Sequence, residues 1–144
     1  VPSLERSTLL KYSAQDMFVL VGNVEAYPQF VPGCVSARVE HVEGPQVRAR
    51  LGFRVKGLSD SFATENHLDD NRIRMRLLDG PFRQLDGHWH FTPLTDSACK
   101  VSLQLSLEFG NRLMEMTLAP WIDRAVNNVM DAFRLRADAL YGQV

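Results

Sequence analysis

The chain has 144 residues, 45% of them hydrophobic and 23% charged. That length predicts a single domain over residues 1–144 built on one core. A formal net charge of -1 excludes a global electrostatic signature for nucleic acid, so any basic feature is local and no DNA partner is expected.

Leu4 to Leu10 reads as a short first strand. Ser13 with Asp16 three residues on forms an approximate capping box, predicting a short helix from Ala14 to Val21 that ends at Gly22. Asn23 predicts the cap of a second helical piece, stopped at Tyr27 because Pro28 disfavours helical geometry in the residue before it. The segment Tyr27-Pro28-Gln29-Phe30-Val31-Pro32-Gly33-Cys34 carries two aromatics and two prolines and reads as a stiff apolar lid or corner.

From Val35 the period becomes two. Val35, Ala37 and Val39 alternate with Ser36, Arg38 and Glu40 up to a turn at Glu43-Gly44-Pro45. Val47, Ala49, Leu51, Phe53 and Val55 then alternate with Arg48, Arg50, Arg54 and Lys56, and Gly57 and Asp60 are expected to break the run. Phe62, Thr64, Asn66 and Leu68 share one side of the next strand, which ends in an Asp69-Asp70-Asn71 turn. Ile73, Met75 and Leu77 oppose Arg72, Arg74 and Arg76 before Asp79-Gly80-Pro81 turns the chain. Leu85, Trp89 and Phe91 share a side, with Gly87 between them and Gln84, Asp86, His88 and His90 opposite. Pro93 to Ser97 separates this strand from the clearest one, where Cys99, Val101, Leu103, Leu105, Leu107 and Phe109 face one way. Alternation of that quality marks an antiparallel sheet with one solvated face.

Asn111 to Tyr141 changes the period again. Met114, Leu118, Ile122, Val126, Val129, Phe133 and Leu140 recur at steps of three, four or their sum, with Ala125 and Ala137 beside them. They line one side of a helix roughly 45 Å long. Pro120 inside it predicts either a bend that follows the sheet or a hinge. Strands followed by a helix imply an α+β fold: a curved antiparallel sheet of about seven strands around a long C-terminal helix, with two short helices after the first strand.

No apolar run approaches the roughly 18 residues of a membrane span, and the N-terminus lacks a signal-peptide pattern. A cytoplasmic location is expected, with peripheral contact at the inner membrane as a variant; since the first residue is not Met, a removed targeting segment stays open. Cys34 and Cys99, the two cysteines, make neither a disulfide framework nor a zinc spacing and read as reduced thiols.

Four stretches together resemble a known family: Tyr27 to Cys34; Asp79-Gly80-Pro81-Phe82-Arg83 with Leu85, Gly87, Trp89 and Phe91; Cys99 to Phe109 with Asn111; and Asp131-Ala132-Phe133-Arg134 through Arg136-Ala137 to Tyr141-Gly142. The chain is similar along its whole length to the coenzyme Q-binding branch of the START-like (polyketide cyclase/dehydrase) superfamily. That branch includes mitochondrial coenzyme Q-binding proteins and the bacterial RatA ribosome-association toxins. The resemblance implies the helix-grip fold, with a hydrophobic cavity between sheet and helix that binds lipids and, in this branch, ubiquinone. One departure is Gly33, where relatives often carry a large aromatic; it loosens the expected lid.

On that frame Phe53, Val55, Phe62, Met75, Trp89, Phe91, Leu103 and Leu105 are expected to point from the sheet toward Ile122, Val126, Met130 and Phe133. Tyr27, Phe30 and Val31 would close the mouth, with Trp121 as a wall or an interfacial anchor. Solid packing of the same residues is the alternative. A polyisoprenoid suits such a site, since each buried CH₂ contributes about 0.8 kcal/mol. Arg48, Arg50, Arg54, Lys56, Arg72, Arg74 and Arg76, seven of the sixteen Lys and Arg residues, form a comb on the outer sheet face. It is either a solvated face with cross-strand ion pairs or a patch for ribosomal RNA or an anionic membrane surface.

His88 and His90 with Asp86 lack the third and fourth ligands that a metal needs, so no metal is expected. His41, His67 and Glu65 are conceivable bases, but no nucleophile–base–orienter set accompanies them. The reading is therefore non-enzymatic and without a cofactor. It puts first the binding of ubiquinone or a similar isoprenoid lipid, supporting respiratory electron transport as a carrier or chaperone. The alternative is a RatA-like toxin that binds the large ribosomal subunit and blocks subunit association.

Overall fold

The computed structural model describes residues 3–55 and 57–142; Lys56 of the comb lies outside them. Among the described residues, seven strands form one antiparallel sheet. They are β1 (Ser3–Leu10), β2 (Cys34–Glu43), β3 (Gln46–Val55), β4 (Leu58–Asp69), β5 (Arg72–Asp79), β6 (Phe82–Thr95) and β7 (Ala98–Phe109). Their order across the sheet is β1-β7-β6-β5-β4-β3-β2, a meander whose first strand returns to pair with the last. Helix α1 (Ala14–Gly22), a 3-10 helix (Val24–Gln29) and the 30-residue helix α2 (Arg112–Tyr141) complete the chain.

The caps follow the sequence. Ser13 accepts the Asp16 backbone N–H at 3.0 Å and starts α1. Asn111 accepts the Met114 N–H at 2.9 Å and starts α2, each satisfying a donor that the first turn leaves free. α2 lies on the inner face, where Leu118, Ile122, Val126, Met130, Phe133 and Ala137 are buried. Its C-terminal half is tied down from both sides. Arg6 of β1 reaches Asn127 and, at 3.3 Å, Asp123, and the Tyr12 hydroxyl donates to Asp138. On the other flank Arg136 donates to Gln29 at 3.2 Å and sits over the Phe30 ring.

Several expectations need correction. The second helical piece does not stop at Tyr27. It continues as a 3-10 helix through Pro28 to Gln29, and Asn23 makes no side-chain cap. Its tight turns bring both the Phe30 and Val31 N–H groups onto the Tyr27 carbonyl. Asp60 does not break a strand, since β4 begins at Leu58 and Asp60 pairs with Phe53. The turn before it rests on Gly57, whose φ of 81° favours glycine. Pro93 lies within β6 at a register shift, where a missing N–H is tolerated. Val35 is 51% exposed because a bulge between Cys34 and Ser36 turns it out of the alternation. Leu140, also 51% exposed, is not on the buried stripe of α2; Ala137 takes the last inward position.

Candidate functional site

Between the inner sheet face and α2 lies a cavity of about 210 Å³. Twelve of the sequence-predicted residues line it: Tyr27, Val31, Phe53, Phe62, Met75, Trp89, Leu103, Leu105, Trp121, Ile122, Val126 and Phe133. Four do not. Phe91 is fully buried against Phe18 and Trp89, and Val55 and Met130 are buried in the core beside the cavity. Phe30 packs edge-on against Tyr27 and Phe133. Period-two and helical spacing fix which way a side chain faces, not whether neighbours fill the space in front of it.

Two aromatic groups shape the walls. Phe133 meets Tyr27, Phe30 and Trp89 at centroid distances of 5.5, 5.4 and 5.5 Å. Trp121 stacks on Phe53 at 5.6 Å, and Phe53 continues into Phe62. Gly33 explains the second group. Its φ is 84°, and a Cβ there would lie 3.2 Å from the Trp121 ring. The indole covers the place where a side chain at Gly33 would stand, so the departure at Gly33 is matched by Trp121.

The Tyr27 hydroxyl donates to the Val21 carbonyl, and burial raises its pKa well above the ordinary tyrosine value. It is a neutral strut that pins the 3-10 helix to α1. Burial also raises the thiols of Cys34 and Cys99, both unpaired. Neither has the electropositive setting of a reactive cysteine. Sequence reasoning placed Thr64 and Asn66 on the inner face without assigning them to the site. They line the cavity at 4% and 5% exposure, and the Thr64 hydroxyl donates to Asn66 Oδ1 at 2.8 Å. The signal was two polar residues in inward positions of a period-two run.

The outer face carries the comb. Glu65 of β4 pairs with Arg48 at 3.3 Å and with Arg76 at 3.2 Å, as the register of β3, β4 and β5 dictates. Arg50 pairs with Glu40 and Asp79, and Arg54 bonds Ser59. The ion-pair reading thus describes Arg48, Arg50 and Arg76. Arg72 and Arg74 have no acidic partner within 4.0 Å among the described residues. The register sets Arg72 between Asp69 and His90, with no ion pair closed to Asp69, and Arg74 between His67 and His88. His88 Nε2 is buried without a hydrogen-bond partner among the described residues. Burial, then the charges of Arg72, Arg74 and His90, hold its pKa below the ordinary imidazole value. The described residues contain no cluster of three or more His, Cys, Asp or Glu side chains placed to hold a metal. No helix among them is long and apolar enough to cross a membrane.

Comparison with known proteins places this geometry. The family described as polyketide cyclase / dehydrase and lipid transport matches residues 10–134. The ribosome association toxin RatA of Escherichia coli (strain K12) is 39% identical over 98% of this chain and 90% of its own length. The persistence and stress-resistance toxin PasT of a second E. coli strain matches to the same extent. The solution structure of an 18 kDa protein from Caulobacter crescentus superposes with a TM-score of 0.79 at 32% identity, covering 99% of this chain and all of that one. The mitochondrial coenzyme Q-binding protein coq10 of Schizosaccharomyces pombe matches less closely, at 29% identity over 76% of this chain and 71% of its own. The chain belongs to the RatA/PasT branch of the START-like (polyketide cyclase/dehydrase) superfamily.

Proposed function

We propose that this protein is a ribosome-associating factor of the RatA kind, which binds the large ribosomal subunit and impedes its joining to the small one. The observation that carries the reading is the near end-to-end likeness to RatA and PasT, closer and longer than that to coq10. It reverses the order of the two readings drawn from the sequence, because the resemblance there rested on motifs that the quinone-binding and toxin relatives share.

The outer sheet face supports the same reading. Half-neutralised surface arginines contribute little to folding. Arg72 and Arg74 close no ion pair within 4.0 Å among the described residues and are available to phosphates, whose neutralisation releases counterions and makes binding fall with salt. Light scattering of dissociated subunits brought together in magnesium tests the reading. The protein should suppress the rise in scattering in proportion to its amount over large subunits. An unchanged time course at saturating protein would reject it.

The cavity favours a second, compatible reading: an apolar small molecule, ubiquinone or a similar isoprenoid, sits between sheet and α2. Apolar walls with few polar groups suit a largely apolar ligand. Solvent extraction of the purified protein followed by mass spectrometry should recover it. Val126→Trp places an indole in the cavity and should lower recovery at least tenfold while the circular dichroism spectrum stays the same.

A further inference from the structure

Within the apolar cavity wall, the side-chain hydroxyl and thiol protons are already engaged by protein acceptors. The Tyr27 hydroxyl donates to Val21, and the Cys34 thiol to the Ser36 carbonyl at 3.4 Å. The Thr64 hydroxyl donates to Asn66 Oδ1 at 2.8 Å. That bond fixes the Asn66 amide with its Nδ2–H₂ group free, and no acceptor for it is found among the described residues. The indole N–H groups of Trp89 and Trp121, also on the wall, are donors as well. No Lys, Arg, Asp or Glu is among the lining residues. Asn66 is 5% exposed and lines the cavity, and its Nδ2 is not among the buried side-chain atoms left without a partner, so the amide opens onto the cavity. Valine or leucine at positions 64 and 66 would satisfy the strand pattern without placing polar groups on the wall.

We infer that Asn66, held by Thr64, is the polar anchor of the cavity and receives the carbonyl-type oxygen of a neutral, otherwise apolar ligand. The inference rests on the cavity-ligand reading and specifies its chemistry. The ligand is a ketone, quinone, ester or similar acceptor, and an ionised fatty acid is excluded. A carboxylate would enter a wall with no cation to offset its lost hydration, whereas a single neutral acceptor takes the free amide N–H.

Three eight-carbon probes test this: 2-octanone, octane and octanoate at pH 8. Fluorescence of Trp89 and Trp121, the two tryptophans of the chain, reports occupancy. Wild type should bind 2-octanone and octane but not octanoate. Asn66→Leu should weaken 2-octanone about tenfold relative to octane. In the wild type, whose fold is not at issue, the Asn66 side-chain amide resonances should shift with 2-octanone and stay in place with octane. Equal effects of Asn66→Leu on ketone and alkane, or amide shifts that are the same for both, would overturn the anchor while leaving the ligand reading intact. Octanoate binding as tight as that of 2-octanone would overturn the neutral selectivity. Failure of all three probes to bind would remove the ligand reading and the anchor with it.

Discussion

Gly33 holds a left-handed φ of 84° with the Trp121 ring against it, so backbone freedom and aromatic packing meet at one position. Gly33→Ala should cost about 1–2 kcal/mol from the left-handed backbone alone, with a further loss where Trp121 is pushed off Phe53. Urea unfolding followed by tryptophan emission measures both. Tyr27 sets a pH limit. Its folded pKa lies above the unfolded value of about 10, so its contribution is complete below pH 10 and is lost as pH rises beyond it. The slope there approaches about 1.4 kcal/mol per pH unit. Tyr27→Phe should lower stability at pH 8 by about 1 kcal/mol, through the lost bond to Val21. The same change should flatten the decline above pH 10; an equally steep decline would show that Tyr27 is not its source.

At the scale of elements, α2 divides at Pro120. The helix runs through it without a break, but a proline has no N–H for the carbonyl four residues back and crowds that turn. Before it, Leu113 and Met116 are 72% and 68% exposed. After it, the helix is clamped by Arg6, Tyr12 and Arg136. We expect the first segment to pivot and admit ligand to the cavity beside Trp121. Pro120→Ala should therefore stabilise the protein by up to about 3 kcal/mol and slow the entry of 2-octanone in stopped-flow fluorescence. A faster or unchanged entry rate would leave Pro120 as a simple bend. The strands and both capped helices were legible from the sequence because a solvated antiparallel face and an amphipathic helix write their periods into the chain. The ends of elements were less so. Pro28, Asp60 and Pro93 are breakers by type, yet each is accommodated by a local device, a 3-10 turn, a displaced glycine turn and a register shift, that pattern alone does not reveal.

At the scale of the whole molecule, one sheet separates two surfaces. The inner face and α2 enclose a nearly apolar cavity; the outer face presents charges that the strand register sorts into paired and unpaired. The sequence showed which way most strand residues face, though not Val35, which the bulge turns out. It did not show that Phe91, Val55, Phe30 and Met130 would stand off the cavity, since volume depends on what every neighbour occupies. Nor did it show that Glu65 would serve both Arg48 and Arg76 while Arg72 and Arg74 close no ion pair among the described residues, since that depends on register across three strands. The ribosome reading predicts that this sorting matters. The direct measurement is sedimentation of the protein with purified large ribosomal subunits, comparing wild type, Arg72→Glu with Arg74→Glu, and Arg48→Glu with Arg76→Glu. The account predicts that wild type pellets with the subunit and loses this as salt rises, that the first double variant stays in the supernatant, and that the second is affected less. Undiminished pelleting of the first double variant, or none by wild type at low salt, would contradict it.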